Sequence, residues 1–162
     1  MGADTLKAAE IQSLYEKHGS ALAAYVCCRG IDFASAEDVV QHVFLKLLEG
    51  NILTPQTPVA YLYRAVRNAS LNLRRNLHRE VEMNDETWLV GPHRERAEVL
   101  AVQAALRDLP EEQRETVFLR VWAGMTLQEI ADTLDIPINT AASRYRYALD
   151  KLRERLQPAT KL

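Results

Sequence analysis

Thr126-Leu127-Gln128-Glu129-Ile130-Ala131-Asp132-Thr133-Leu134, then Asp135-Ile136-Pro137, then Ile138-Asn139-Thr140-Ala141-Ala142-Ser143-Arg144-Tyr145-Arg146-Tyr147-Ala148-Leu149-Asp150-Lys151-Leu152-Arg153 is the stretch on which the reading of the whole chain turns. Thr126 followed three residues later by Glu129 is a capping-box pattern, which opens a helix by satisfying free backbone N–H groups. Leu127, Ile130, Ala131 and Leu134 then recur at helical spacing. Asp135-Ile136-Pro137 reads as a tight turn. The longer helix after it carries Tyr145, Leu149, Leu152 and Leu156 on its apolar side. A short capped helix, a turn and a second helix with a basic side fit a helix-turn-helix. Thr140, Ser143, Arg146 and Tyr147 then face outward in the N-terminal half of the second helix, where side chains reach base edges in a major groove. Lys151, Arg153 and Arg155 follow and suit phosphates. On pattern alone, a helical hairpin with a solvated basic side remains the alternative.

Upstream, the same period continues. Leu6, Ile11, Leu14, Tyr15, Leu22, Tyr25 and Val26 describe an opening helix or helix pair, broken at Gly30-Ile31-Asp32. Ser35 and Asp38 form a capping-box pattern ahead of Ala36, Val39, Val40, Val43, Phe44, Leu47 and Leu48, the strongest amphipathic pattern in the chain, which Gly50 ends. Asn51 to Thr57 reads as a loop. Thr57-Pro58 is an N-cap with proline at the first helical position. The helix that follows has an apolar stripe of Val59, Leu62, Val66, Ala69, Leu73 and Leu77, and is expected to end near Glu80. Its other side carries Arg64, Arg67, Arg74, Arg75 and His78, with Tyr61 and Tyr63 at its start. Arginines attract phosphate and aromatics stack on unpaired bases, a combination suited to single-stranded nucleic acid. The plainer reading is a solvated basic side with the tyrosines in the core. Residues 81–96 lose the period and read as a linker. Val99, Leu100, Leu106 and Leu109 restore it, and Pro110 starts a further helix with Val117, Phe118, Val121 and Trp122, stopped at Ala123-Gly124. No segment alternates with period two, so an all-α protein is expected.

The chain has 162 residues, 48% hydrophobic and 26% charged, the composition of a soluble globular protein rather than a disordered one. The net charge of −2 hides a segregation. Residues 61–80 hold five arginines against one glutamate, and residues 136–162 hold six basic residues against two acidic ones. Two short basic segments offer two places for a polyanion. No apolar run approaches the roughly 18 residues of a membrane span, and Met1 to Glu10 lacks the apolar core of a signal peptide, so no membrane insertion and a cytoplasmic location are expected. Cys27 and Cys28 are adjacent, a strained pairing geometry, and read as buried helix residues rather than a redox switch. The four histidines are scattered without ligand spacing. No metal and no cofactor are expected, nor any catalytic residue, because the chain shows no nucleophile–base pair, carboxylate dyad or phosphate loop.

Three segments in order carry a resemblance. Ala36-Glu37-Asp38-Val39-Val40-Gln41-His42-Val43-Phe44-Leu45-Lys46-Leu47 is similar to the polymerase-binding helix of the extracytoplasmic-function sigma factors, small two-domain initiation subunits of bacterial RNA polymerase. Ala60-Tyr61-Leu62-Tyr63-Arg64-Ala65-Val66-Arg67-Asn68, continuing to Leu73-Arg74-Arg75, resembles their helix that opens and reads the −10 element. Leu109-Pro110-Glu111-Glu112-Gln113-Arg114, Gly124 to Ala131 and the residues through Arg153 resemble their domain that reads the −35 element. The likeness covers roughly residues 10–157.

The resemblance implies two small helical domains, 1–80 and 97–162, joined by the linker 81–96, and no chemistry by the chain itself. It implies core polymerase as a partner, met at the clamp helices of the largest subunit through Asp38, Gln41, Phe44 and Leu45, with core packing the alternative for Phe44. Tyr61, Arg64, Arg67, Asn68, Arg74 and Arg75 would contact the −10 element. Asn68 and the loop Asn51–Gln56 would hold a flipped base, whose unstacking costs a few kcal/mol. Thr140, Ser143, Arg144, Arg146 and Tyr147 would address the −35 duplex, although Arg144 also suits a brace to Glu129 or Asp132. Arg114 and Glu129 read as structural. An anti-sigma factor is a further implied partner. The acidic linker suits a segment passing near the polymerase active site, or a solvated tether.

The sequence departs from that pattern at Tyr61, where tryptophan is common, at Asn72, where aspartate is common, and at Asp135, where glycine is common. Ala142 and Tyr147 stand where basic residues are common, so upstream readout is expected to differ, with Arg146 carrying more of it. The competing reading is a stand-alone helix-turn-helix regulator dimerising on symmetric half-sites. It leaves the helices around Asp38–Leu47 and Tyr61–Arg75 without a task.

Overall fold

The computed structural model describes residues 6–50, 57–77 and 96–157. These form seven helices, and among the described residues there is no strand: α1 (Ala8–Cys28), α2 (Phe33–Leu48), α3 (Pro58–Leu77), α4 (Arg96–Arg107), α5 (Glu111–Val121), α6 (Leu127–Leu134) and α7 (Ile138–Leu156). The chain divides into two compact units, Met1–Asn84 and Asp85–Leu162. The loop Asn51–Gln56, the linker up to residue 95 and the expected end of α3 near Glu80 lie outside the described residues.

In the first unit, the opening apolar pattern is a single helix, α1, not a helix pair. The backbone N–H of Lys7 donates to the Glu10 carboxylate at 2.8 Å, tying down its first turn. Gly30, at φ 88°, turns the chain toward α2. The cap of α2 differs from the expected one. Asp32, in an extended conformation, accepts from the Ser35 N–H at 3.0 Å, so Ser35 sits inside the helix and Asp38 is an exposed residue of a later turn. Both Asp32 and Ser35 are capping types three residues apart. The carboxylate takes the position because it adds charge at the positive end of the helix dipole.

Helix α3 begins at Pro58, with the Tyr61 N–H bonded to the Thr57 carbonyl at 3.0 Å. Leu22, Tyr25 and Val26 of α1, Val39, Val40, Val43, Phe44 and Leu47 of α2, and Leu62, Tyr63 and Val66 of α3 make the core. Tyr25 and Tyr63 meet edge to face, their centroids 5.3 Å apart.

In the second unit, α5, α6 and α7 enclose Val117, Phe118, Leu119, Met125, Ile130 and Ala131, and α4 adds Ala105 and Leu106. Arg114 is structural, as expected. Its guanidinium donates to the carbonyl oxygens of Leu106 and Arg107 in the last turn of α4 and of Leu109 just beyond it, where the regular helical ladder stops. The capping box at α6 is complete. Thr126 Oγ1 accepts from the Glu129 N–H at 3.1 Å, and Glu129 accepts from the Thr126 N–H at 3.2 Å. Asp135 closes α6 in the left-handed conformation, φ 55°, and the Ile136 N–H returns to the Ala131 carbonyl at 3.0 Å.

Helix α7 buries a different set from the one its sequence suggests. Ala141 and Ala148, seven residues apart, are the fully buried positions, while Tyr145, Leu149 and Leu152 are half-buried and Leu156 is exposed. Two alanines on one line let α7 lie close against α5 and α6, and the larger side chains fill the margins.

Candidate nucleic-acid and polymerase interface

Helix α2 presents two unlike sides. Its buried valines pack inward, and Asp38, Gln41, Leu45 and Leu48 face solvent, the two leucines 59% and 52% exposed. Exposed leucines beside an acid and an amide are costly to hydrate and are suited to a partner. They edge an apolar groove of about 440 Å³ between α1 and α2, lined by Ile11, Tyr15, Gln41, Phe44, Leu45 and Leu48 among others. Phe44 forms its floor. It is 4% exposed and meets Tyr15 edge-on at 5.1 Å, so most of its surface belongs to the core.

Helix α3 sorts its residues more narrowly than the sequence did. Arg64, Asn68, Asn72 and Arg75 form one exposed stripe at spacings of four, four and three. Tyr61 stands half-buried at its head. Arg67 and Arg74 are half-buried, and neither is without an interaction of its own. Tyr63 is buried against Tyr25 and is not available for stacking on a base; burial pushes its phenol well above the usual tyrosine range. Asn72, given no role from the sequence, belongs to the exposed stripe, and its spacing from Arg64 and Asn68 was the available signal. A second groove, of about 570 Å³, runs between α2 and α3. It brings Asp38, His42 and Lys46 on one wall opposite Tyr61, Asn68 and Asn72 on the other.

Helix α7 turns Ala141 and Ala148 inward, so the opposite line at helical spacing holds Asn139, Ser143 and Arg146. Asn139 and Arg146 are exposed, Thr140 and Ser143 are half-buried, and Tyr147 is 53% exposed with the Arg146 guanidinium 5.3 Å from its ring centroid. Arg144 points elsewhere. It pairs with Glu112 at the start of α5, 3.6 Å away, rather than with Glu129 or Asp132. Glu129 is committed to the cap of α6, and Asp132 accepts from Gln128 at 2.9 Å. Farther along, Asp150 pairs with Arg153 at 3.8 Å, and Arg155 pairs with Asp108. Basic side chains thus point outward from both α3 and α7.

Residues 14–80 match the family description Sigma-70 region 2, and residues 105–154 match Sigma-70, region 4. RNA polymerase sigma-H factor of Pseudomonas aeruginosa is 30% identical over 78% of this chain and 76% of its own length. ECF RNA polymerase sigma factor SigL of Mycobacterium tuberculosis is 29% identical over 96% of this chain and 94% of its own. The chain belongs to the extracytoplasmic-function RNA polymerase sigma factors.

The sigma factor shares its fold with the RpoE sigma factor solved in complex with the anti-sigma factor NepR from Bartonella quintana. The TM-score is 0.72 at 23% identity, covering 91% of this chain and 96% of that one. As a sigma factor it is no enzyme: it binds core polymerase and directs promoter recognition, melting and initiation. The match over the N-terminal unit gives the helices at Asp38–Leu47 and Tyr61–Arg75 a task, and the stand-alone regulator is not favoured. No helix among the described residues is long and apolar enough to cross a membrane.

Proposed function

We propose that the sigma factor divides its work among three helices. Asp38, Gln41 and Leu45 of α2, with Phe44 beneath them, dock on the clamp helices of the largest polymerase subunit, and Leu48 and Tyr15 widen the same apolar edge. The observation that carries this is the pair of leucines, Leu45 and Leu48, left in solvent beside Gln41 on the otherwise mainly polar outer side of α2. Tyr61, Arg64, Asn68 and Arg75 meet the melted strand of the −10 element, with Arg67 and Arg74 as flanking positive charge. Thr140, Ser143, Arg146 and Tyr147 face the −35 duplex. Arg144 supports α7 through Glu112 and adds charge near the phosphates.

The unit assignment follows. Residues 1–80 serve polymerase and the −10 element, residues 97–162 serve the −35 element, and residues 81–96 join them. An anti-sigma factor, such as the one bound to the RpoE relative, would cover the apolar edge of α2, and the site of action is the cytoplasm, where polymerase is. Run-off transcription with purified core polymerase on a promoter library tests the reading. The expected result is promoter-dependent transcript only when the chain is present, and a core enzyme indifferent to the chain would overturn it. The isolated chain is expected to bind duplex promoter weakly, because its two reading surfaces lie on separate units and need the polymerase as a scaffold. Nanomolar, sequence-specific footprints without polymerase would contradict that.

A further inference from the structure

We infer that Asn139 is a base-reading residue of this sigma factor, and that with Arg146 it selects an adenine and a guanine about three base pairs apart in the upstream duplex element. The inference rests on the reading of α7 as the duplex-reading helix. Asn139 and Arg146 are seven residues apart, two turns along the same line of α7, diametrically across from the buried Ala141 and Ala148. Both are exposed, and among the described residues no side chain takes up the Asn139 amide. At a rise of about 1.5 Å per residue the two positions lie roughly 10 Å apart along the helix, the length of about three base-pair steps.

The chemistry of each head group selects a base. A carboxamide offers one donor and one acceptor side by side, which match N7 and the N6 amine of adenine. A guanidinium offers two parallel donors, which match O6 and N7 of guanine. Between them Ala142 and Ser143 are small, so the helix can approach the groove floor closely enough for a short asparagine to reach. Arg146 lies over the Tyr147 ring, which limits the rotamers it must give up on binding. Asp150, one turn beyond Arg146 on the same line and exposed, would meet phosphate with like charge, and it bounds the reading face on its C-terminal side. The reading face therefore runs from Asn139 to Tyr147.

The test uses the full chain with core polymerase, transcribing a promoter library randomised in the upstream element and constant in the −10 element. The wild type is expected to enrich one adenine and one guanine about three base pairs apart. Asn139→Ala should reduce the adenine preference roughly tenfold and leave the guanine preference in place; Arg146→Ala should do the reverse. Asn139→Arg should convert the adenine preference to guanine. Thermal melting of each variant reports on folding, and both positions are solvent-exposed. An upstream preference that Asn139→Ala leaves unchanged, or a uniform loss over all library members, overturns the inference alone. Transcription with no upstream preference in the wild type overturns the reading of α7 and the inference with it.

Discussion

Tyr15 of α1 stands edge-on to Phe44 of α2 with their ring centroids 5.1 Å apart, so the proposed polymerase edge is laid directly over a core aromatic. Phe44 and Leu45 are neighbours in sequence and opposite in role. One is buried beneath the groove and the other stands in solvent. Phe44→Ala is expected to destabilise the N-terminal unit by about 3–4 kcal/mol, the usual cost of emptying a buried phenylalanine site. Leu45→Ala is expected to change stability by less than about 0.5 kcal/mol while weakening core-polymerase affinity severalfold. Denaturant melts paired with competition binding to core enzyme separate the two. A Leu45→Ala variant with full affinity would remove the leucine edge from the interface.

Arg114 satisfies three backbone carbonyls at the end of α4 from a position on α5. Lysine has the charge but not the forked donors. Arg114→Ala should cost the second unit about 2–3 kcal/mol, and Arg114→Lys should recover only part of it. Urea denaturation followed by tryptophan fluorescence reads this directly, since Trp122 stacks on Phe118 at 5.3 Å within the same unit.

Asp135 is the one described non-glycine residue with positive φ, at 55°. Relief of its backbone strain in Asp135→Gly is expected to offset the extra chain entropy of glycine or to exceed it by up to about 1 kcal/mol. Asp135→Val should instead lower stability and impair upstream-element recognition, because the turn sets α7 against α6. Melting temperatures and promoter-library output check both arms.

The buried phenol of Tyr63 gives the first unit a dependence on alkaline pH. Its folded-state pKa is raised by desolvation, so its contribution is fully present below the unfolded tyrosine value near 10 and is lost as pH rises beyond it. Stability of the wild type should therefore fall more steeply above that value than stability of Tyr63→Phe, which keeps the edge-on contact with Tyr25. Melts between neutral and alkaline pH measure the difference. Equal slopes would mean that the phenol is solvated.

The helical class, the turn at Asp135 and the cap at Thr126 were legible in the residue order, because each depends on backbone groups within a few positions. Periodicity likewise marked α2 and α3, and the three ordered motifs were enough to suggest the family. Which side of each helix meets solvent was not settled locally. Tyr61 and Tyr63 are two residues apart, and only the packing of the unit, the ring of Tyr25 included, makes Tyr63 core. Arg64 and Arg67 are both arginines on one helix, and packing against α1 and α2 leaves the first exposed and the second half-buried. Helix α7 shows the point most plainly: its large apolar residues suggested the inward side, yet the close approach to α5 and α6 selects the alanines, and that rotation turns the line shared by Asn139 and Arg146 outward. A residue turns by about 100° from the next along a helix, so a broad apolar arc fits several orientations, and the neighbouring helices determine which of them is adopted.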